Sequence, residues 1–461
     1  MARCVNYLRH MGKVRFWLML VFALLGFGVC HVGQKAVAAD FFSPSSNNDA
    51  GKSGNKTSHK YRVALLVPLS GPDATMGKAL LHAAQMALFD FTDAQFVLIP
   101  IDTEKAGGAK AAAKKALDAK ASLVIGPVFS KQATEVADAV SRANINVITL
   151  SNDTAIAGGN LFVFGLAPSQ ILERVLTYAA TKNITRFAAL FPDDALGQRL
   201  SGQLRLLSSA LGGQVMRIEQ YPSQTKDFSD AVKRVAEFDA RRMTAAEIAA
   251  AQEAAKAAAQ ASTDPNAQNT DKKPEKLTAR QKDAQKRAEK LLTSRQVDYD
   301  ALVISESGQR LRNLASLIPY YNIDVMQTRI LGASSLWDDP ILAKEPGLVG
   351  GWFAATDPAG RRNFEERFSK NFHYAPPRIT SLVYDAVGLA ALMARKADKN
   401  NESDAFPANG LRSPGGFSGI DGIFRFTSTN TSERGLAVFE IDARRGAVMI
   451  DRAPTSFATS P

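Results

Sequence analysis

Residues Tyr61–Asp90, YRVALLVPLSGPDATMGKALLHAAQMALFD, decide the fold class of this chain. Residues 63–67 form an apolar run of the length of one strand, and such a run is typical of a strand buried on both faces. Residues 68–71 break the strand. The helix that follows has an apolar stripe at helical spacing, formed by Leu80, Ala84 and Leu88. A strand followed by a packed helix indicates an open α/β sheet.

The same unit recurs along the chain. Further strands are predicted at 123–125, 145–150, 187–191, 214–220, 301–305 and 329–331. Helices are predicted between them at 134–143, 171–181, 197–211, 309–318 and 379–396. This alternation predicts mostly parallel, doubly wound sheets, in which ligands bind at the carboxyl ends of strands. Because 461 residues exceed the usual size of one core, we expect two lobes.

The first 39 residues have the pattern of a secretory signal peptide. Basic residues precede an apolar run at 16–30, and small residues follow at 36–39. We therefore expect export to the periplasm, with cleavage near Ala38 or Ala39 and a flexible leader over 40–60. The alternatives are an uncleaved anchor and a lipoprotein attached through Cys30. The large Val29 fits a lipoprotein signal poorly.

Cysteine and charge exclude several classes of function. The two cysteines, Cys4 and Cys30, both lie in the signal segment, so disulfides and thiolate chemistry are not expected in the mature protein. The formal charge of +11 is concentrated in residues 1–39 and 241–296, and the rest of the chain is close to neutral. Since the charge does not form a patch on the fold, nucleic acid is not an expected partner.

Residues 241–296 form a charged, alanine-rich insertion in the second lobe. Its two ends, 241–261 and 277–295, have helical composition, and a polar stretch with Pro265 joins them. We predict a coiled-coil-like helical hairpin that projects into solvent. It is either a solvated insertion at a tolerant loop or a contact arm for a protein partner or an anionic surface.

Motifs for catalysis are lacking, so the chain is not expected to be an enzyme or to need a cofactor or metal. The segment Gly71–Lys78 resembles a phosphate-binding loop, but five residues separate Gly71 from Gly77 where four are required. The sequence holds no G-x-S-x-G motif. After cleavage three histidines remain, none at metal or triad spacing: His59, His82 and His373.

Polar loops at strand ends are the candidate ligand contacts. Ser130 lies at a predicted helix start, where free N–H groups bind carboxylate or phosphate. The neighbouring loop offers Ser151, Asn152 and Thr154, and the first strand ends near Ser70. These residues could equally cap helices, since caps and anion sites share one geometry. Their occurrence on adjacent strand ends favours a binding site.

The ordered segments VALLVPLSGPDATMGKAL, LVIGPVFSKQA, VITLSNDT, FVFGLAPSQ, YDALVISESGQRLRNL and SLVYDAVGLAALMA resemble type I periplasmic binding proteins of the leucine-binding kind. The resemblance covers residues 61–240 and 297–455. It implies two lobes joined by a three-crossing hinge. The first lobe would comprise 61–168 and 353–415, and the second 169–240, 297–352 and 416–455.

By this resemblance the cleft closes on an amino acid for uptake by an inner-membrane ABC permease. Ser130, Ser151 and Thr154 would hold the carboxylate and ammonium from the first lobe, and Glu306 would reach the ammonium from the second. Transport members have an aromatic residue before the glycine of the second-lobe loop, where this chain has Leu196. This departure puts amino-acid binding in doubt.

A second branch of the same fold activates penicillin-binding proteins. The segments LWDDPIL, GLVGGWFAATDP, GFSGIDGIFRF and SERGLAVFEI resemble that branch, and a long helical insertion suits a protein partner. Uptake of a small-molecule ligand and activation of a penicillin-binding protein therefore stay open as alternatives.

The signal-peptide prediction can be tested on purified protein from a cell-envelope fraction. Amino-terminal sequencing should begin at Ala39 or Asp40, because the small-residue stretch precedes these positions. A sequence that begins before Val32 would contradict cleavage, and a blocked amino terminus at Cys30 would indicate the lipoprotein.

Overall fold

The computed structural model describes residues 61–91, 96–244, 246–250, 253 and 294–457. All of them belong to one compact unit, Asp40–Pro461. The predicted signal peptide, the leader, both cysteines and most of the predicted hairpin insertion lie outside the described residues.

The first lobe contains a five-stranded parallel sheet. Its strands are β1 (Tyr61–Val67), β2 (Phe96–Asp102), β3 (Leu123–Ile125), β4 (Asn146–Thr149) and β5 (Leu161–Val163). Their order is β2-β1-β3-β4-β5, and every pair is parallel. The helices of this lobe are α1 (Ala74–Asp90), α2 (Gly108–Asp118) and α3 (Ser130–Val140), with later helices from the second half of the chain.

The second lobe contains a seven-stranded sheet. Its strands are β6 (Arg186–Pro192), β7 (Gln214–Tyr221), β8 (Ala301–Ile304), β9 (Arg329–Gly332), β10 (Trp352–Ala355), β14 (Ala437–Asp442) and β15 (Gly446–Asp451). The parallel part has the order β7-β6-β8-β9-β10, the same winding as the first sheet. Two antiparallel strands, β14 and β15, complete its edge. The helices around it are α4 (Pro168–Ala180), α5 (Ala195–Ala210), α6 (Ser229–Val235), α7 (Phe238–Arg241) and α8 (Gly308–Tyr320).

Strand β1 shows why these sheets are apolar throughout. Side chains of Val63 and Leu65 belong to the core that α1 covers, whereas Ala64 and Leu66 belong to the core beneath α2 and α3. Because successive side chains of a strand point to opposite faces, a strand covered on both sides needs an uninterrupted apolar run. The predicted α/β class with two doubly wound lobes is confirmed.

The chain returns to the first lobe in its last third. Helices α9 (Pro358–Phe372), α10 (Thr380–Lys399) and α11 (Ala408–Leu411) precede a small antiparallel sheet of β11 (Phe417–Gly419), β12 (Gly422–Phe426) and β13 (Ser432–Arg434). In this sheet Phe424 and Phe426 are buried in the first-lobe core. The sequence placed 416–455 in the second lobe, but these aromatic contacts assign residues 417–434 to the first. Strands β14 and β15, with Ala453 after them, lie in the second.

The chain crosses between the lobes three times, as the resemblance implies. The crossings follow β5, β10 and β13. A small apolar cluster of Ile171, Ala354 and Leu436 joins the three crossing points, and Leu166 packs against it. We call these three residues the hinge cluster.

Two glycines hold a helix against the end of the first strand in each lobe. A Cβ atom on Gly77 would lie 1.8 Å from the carbonyl oxygen of Pro68, and one on Gly197 would lie 1.8 Å from that of Pro192. Any side chain there would push the helix off the strand. The glycine that resembled part of a phosphate-binding loop therefore serves helix packing.

Arg241 anchors the base of the insertion. Its side chain is 5% exposed and donates hydrogen bonds to four backbone carbonyls, those of Ala236, Arg295, Tyr321 and Asn322. The bridge between Arg242 and Ser294 also brings the two ends of the insertion together. Burial lowers the pKa of Arg241. A helical segment begins at 246–250, as the composition predicts.

Replacing Arg241 with Met should destabilise the second lobe. Each buried carbonyl left without a donor costs about 1–3 kcal/mol, so the midpoint of urea unfolding should fall clearly. The matched control is Arg242→Met, which changes an exposed neighbour and should leave the midpoint near that of the parent protein. Equal midpoints for the two variants would show that Arg241 does not anchor the insertion.

Candidate functional site

A cavity of about 670 Å³ lies between the two lobes. Its walls are the loops that follow the carboxyl ends of β3 and β4 in one lobe and of β8 and β9 in the other. The hinge cluster residue Ile171 forms part of its lining. The cavity therefore occupies the edge at which doubly wound sheets bind ligands.

The structure brings three of the predicted residues together in this cavity: Ser130, Ser151 and Asn152. Ser130 is the first residue of α3, and Phe129 before it is extended and makes no side-chain cap. The first amide groups of α3 have no intrahelical acceptor and begin at the cavity wall. Ser151 is 7% exposed, and its hydroxyl accepts a 3.1 Å bond from the amide of Asp153.

The other three predicted residues do not line this cavity. Thr154 faces a neighbouring cavity of about 530 Å³. The hydroxyl of Ser70 is engaged with Asp102; burial alone would raise the pKa of that carboxyl, but hydrogen bonds with Ser70 and nearby amides lower it.

Glu306 needs the clearest correction, because its carboxylate already has two partners. Arg310 contacts it at 2.7 and 2.9 Å, and the hydroxyl of Tyr221 contacts it at 2.9 Å. These bonds hold the side chain at the start of α8, so it does not extend into the cavity to meet an ammonium group. Tyr221 lies far from Glu306 in sequence, and Arg310 lies one helical turn after it. A strand-end pattern reveals neither contact.

The second lobe supplies cavity residues that the sequence reasoning missed. Three hydroxyls follow strand ends there, those of Ser305, Ser334 and Ser335. The apolar walls include Phe129 from the first lobe and Leu196 and Leu336 from the second. The signal for the serines was present, since Ser305 directly follows buried β8, and Ser334 and Ser335 lie in the loop after buried β9.

A buried charge cluster lies at the first-lobe side of the cavity. Arg434 is 6% exposed, and its guanidinium carbon lies 4.5 Å from the ring centre of Phe164. Nearby, Asp421 accepts from Arg361 at 2.5 Å and from Ser381 at 2.6 Å. Residues 361, 421 and 434 all line the cavity.

The cluster extends beneath the cavity to a fully buried acid, Asp385. Burial, together with the nearby charge of Asp421, raises the pKa of Asp385 to about 7, while Arg434 opposes the shift. The Oδ2 atom of Asp385 and the Nε and Nη1 atoms of Arg434 have no hydrogen-bond partner among the described residues. These groups were not predicted, because their pairing depends on contacts between distant segments.

Among the described residues, two ion pairs cross the cleft. Arg378 of the first lobe donates to both oxygens of Asp338 in the second, at 2.5 and 2.6 Å. These bonds raise the pKa of Arg378. Arg199 on α5 lies 3.7 Å from Asp153 of the first lobe. Since each pair joins opposite lobes, both would break when the lobes rotate apart.

Within the described ranges no group of three His, Cys, Asp or Glu side chains could hold a metal ion. In the same part of the chain no helix is both long and apolar enough to cross a membrane. His82 stacks on Phe372 with ring centres 4.2 Å apart, and its ring nitrogen lies 2.9 Å from the hydroxyl of Tyr374. It belongs to the packing of the first lobe.

The sequence of the first half carries a family signature. Residues 60–270 match the model of the periplasmic binding protein family. A curated relative, an uncharacterised protein of Rickettsia prowazekii, is 27% identical over 180 residues. This match covers 39% of the present chain and 48% of the relative, so the chain spans about half the relative's length.

Solved structures show that the periplasmic binding protein fold extends through the described chain. An ABC transporter substrate-binding protein from Sphaerobacter thermophilus has a TM-score of 0.59 at 17% identity, covering 86% of this chain and 98% of that one. A solute-binding protein from R. palustris, solved with benzoate, has a TM-score of 0.53 at 15% identity, with 86% and 97% covered.

The substrate-binding protein LivJ from Streptococcus pneumoniae, solved with isoleucine, has a TM-score of 0.52 at 13% identity, with 86% and 99% covered. These neighbours are substrate-binding proteins and not enzymes. The expected type I fold is thus confirmed.

Breaking the ion pairs that cross the cleft should favour an open form. Exposed pairs contribute about 0.2–1 kcal/mol each, so the variant Arg199→Met with Arg378→Met should shift the opening equilibrium by roughly 0.4–2 kcal/mol. The radius of gyration from small-angle X-ray scattering should increase. Arg186→Met is the matched control, because Arg186 pairs with Asp300 within one lobe. An increase of the same size in the control would refute the role of the crossing pairs.

Proposed function

We propose that this chain is an exported periplasmic protein that captures an amino acid or a similar small solute in the cleft. An inner-membrane ABC permease would receive the solute. The observation that carries the proposal is the cavity of about 670 Å³, which hydroxyl-bearing loops of both lobes line at their strand ends. Small-molecule sites usually measure about 300–1,000 Å³, so the volume suits one small ligand.

The first lobe offers the better place for a ligand carboxylate. The start of α3 at Ser130 presents amide groups without intrahelical acceptors, and the partial positive charge of a helix start attracts anions. Ser151 and Asn152 adjoin it. The opposite wall, with Leu196 and Leu336, suits an apolar ligand body. A carboxylate with a small apolar side chain satisfies both walls.

Ligand capture would follow from hinge closure. The two lobes share only three chain crossings, so a small rotation about the hinge cluster opens or closes the cavity. A ligand that contacts both lobes stabilises the closed form by its differential affinity. The pairs Arg378–Asp338 and Arg199–Asp153 would add to that closure. A membrane partner would then recognise the closed form.

Activation of a penicillin-binding protein is the alternative. A specific observation favours it: Leu196 lines the cleft where transport members carry an aromatic residue, so stacking on an amino-acid ligand is lost. The insertion on the second lobe would be the contact with the partner. In this alternative the protein needs no solute, and the cleft is a remnant of the fold.

A thermal-shift screen of the mature chain tests the capture of a solute. Amino acids, benzoate-type carboxylates and cell-wall fragments would each be added in excess. A ligand at one hundred times its Kd should stabilise the fold by about 2.7 kcal/mol and raise the Tm. No shift with any compound would contradict the proposal, and retention of a penicillin-binding protein on immobilised chain would then support activation.

Variants at the start of α3 locate the bound ligand. Ser130→Pro removes an amide donor at a helix position that tolerates proline, so the helix should persist. Affinity for the ligand found in the screen should fall roughly ten- to one-hundred-fold, the cost of a lost hydrogen bond to a charged group. Thr154→Ala is the control, because Thr154 lies outside the cavity lining. Unchanged affinity in Ser130→Pro would refute the assignment of this site.

A further inference from the structure

A second cavity between the lobes, of about 460 Å³, has a charged lining that is mostly basic. It adjoins the cleft, and Arg361 and Arg378 line both. Its remaining charged lining consists of Lys344, Arg444 and Arg445 from the second lobe and the acid Asp338. Five cations thus surround one carboxylate, and they come from both lobes.

Pairing leaves two of these cations available. Arg378 forms an ion pair with Asp338, and Arg361 forms one with Asp421. Arg445 forms a third pair, with Asp442, at 3.2 Å. Lys344 and Arg444 form no ion pair with any described residue, and both are exposed. The cavity therefore has a net positive charge that the described residues do not neutralise.

The second-lobe wall of this cavity is held in place by a tight turn between β14 and β15. One oxygen of Asp442 accepts the amides of Arg444 and Arg445, at 2.9 and 2.8 Å. These hydrogen bonds lower the pKa of Asp442 to about 2, so it stays charged at neutral pH. The backbone that carries Arg444 is fixed before any ligand binds. Lys344 ends the 3-10 turn Pro340–Lys344.

We propose that this second cavity is a binding site for a small multivalent anion, with phosphate or polycarboxylate chemistry. Lys344 and Arg444 would supply the charge, and Arg378 and Arg361 would close the first-lobe side. Guanidinium and ammonium groups that converge on one concavity suit oxyanions, because each oxygen accepts charge-assisted hydrogen bonds. This site adjoins the solute site proposed above and shares Arg361 and Arg378 with its lining, but its assignment does not depend on solute binding there.

An anion in this position would act on both lobes together. Cations of the first lobe and of the second would contact the same ligand, so binding favours the arrangement in which the lobes are close. A solute that also needs the closed cleft would then bind more tightly, and the coupling would be reciprocal. The site would thus sense an anion and adjust capture in the cleft.

Thermal-shift and calorimetric titrations of the mature chain at pH 7.5 test the site. Sodium phosphate and sodium citrate would be compared with sodium chloride at equal ionic strength. A rise in Tm with phosphate alone indicates a tetrahedral oxyanion, and a rise with citrate alone indicates a polycarboxylate. No rise beyond that in chloride overturns the proposal, since charge screening alone would then account for the effect.

Variants locate the anion. Lys344→Ala with Arg444→Ala should weaken anion binding roughly tenfold or more, since two charged donors are lost. The control, Lys110→Ala with Arg142→Ala, removes two exposed cations from the first-lobe surface and should not change it. Lys344→Arg should retain binding, which separates loss of charge from loss of fold. The variant Ser130→Pro should also retain anion binding. Loss of the solute site can therefore be distinguished from loss of the anion site. Equal anion affinity in the double variant and the control refutes the site.

Discussion

The three chain crossings at the hinge cluster are the constraint on which the rest of this structure depends. Ile171, Ala354 and Leu436 lie on three segments far apart in sequence, and their contact sets where one lobe ends and the other begins. Because each lobe has its own buried cores on both faces of its sheet, neither needs the other to be packed. The space between them is therefore free to hold a ligand, and polar groups can face it without disturbing a core.

The two lobes position their polar loops by the same device. A buried parallel strand ends, a glycine in the next helix allows close contact with the strand end, and the following loop reaches the cleft edge. Gly77 and Gly197 have equivalent roles in the two lobes, which explains a glycine pattern that superficially resembles a nucleotide-binding loop. Hydroxyls then gather at the cleft because several strand ends meet there.

The prediction that polar residues lie at the cleft edge agrees with the cavity lining where position after a strand was sufficient. Ser130 lies at the end of the loop after β3 and Ser151 in the loop after β4, and both line the cavity. The prediction does not agree with the cavity lining where another residue binds the predicted side chain. Arg310 and Tyr221 bind Glu306, and Asp102 binds Ser70. Edge strand β2 was also not singled out, because five of its seven residues are exposed or partly exposed and it contains Pro100. The charged residues at positions 361, 378, 421 and 434 were missed, because their pairs join remote segments.

The sequence by itself determined the α/β class, the two lobes and the sheet edge at which the cavity lies, because apolar periodicity and strand-end loops are local properties of the chain. Tertiary structure alone decided which charges face one another. The pair Arg378–Asp338 spans 40 residues and two lobes, and the basic cavity combines the segments that carry Lys344, Arg361 and Arg444. Coulomb interactions depend on distance in space, and distance along the chain does not report it.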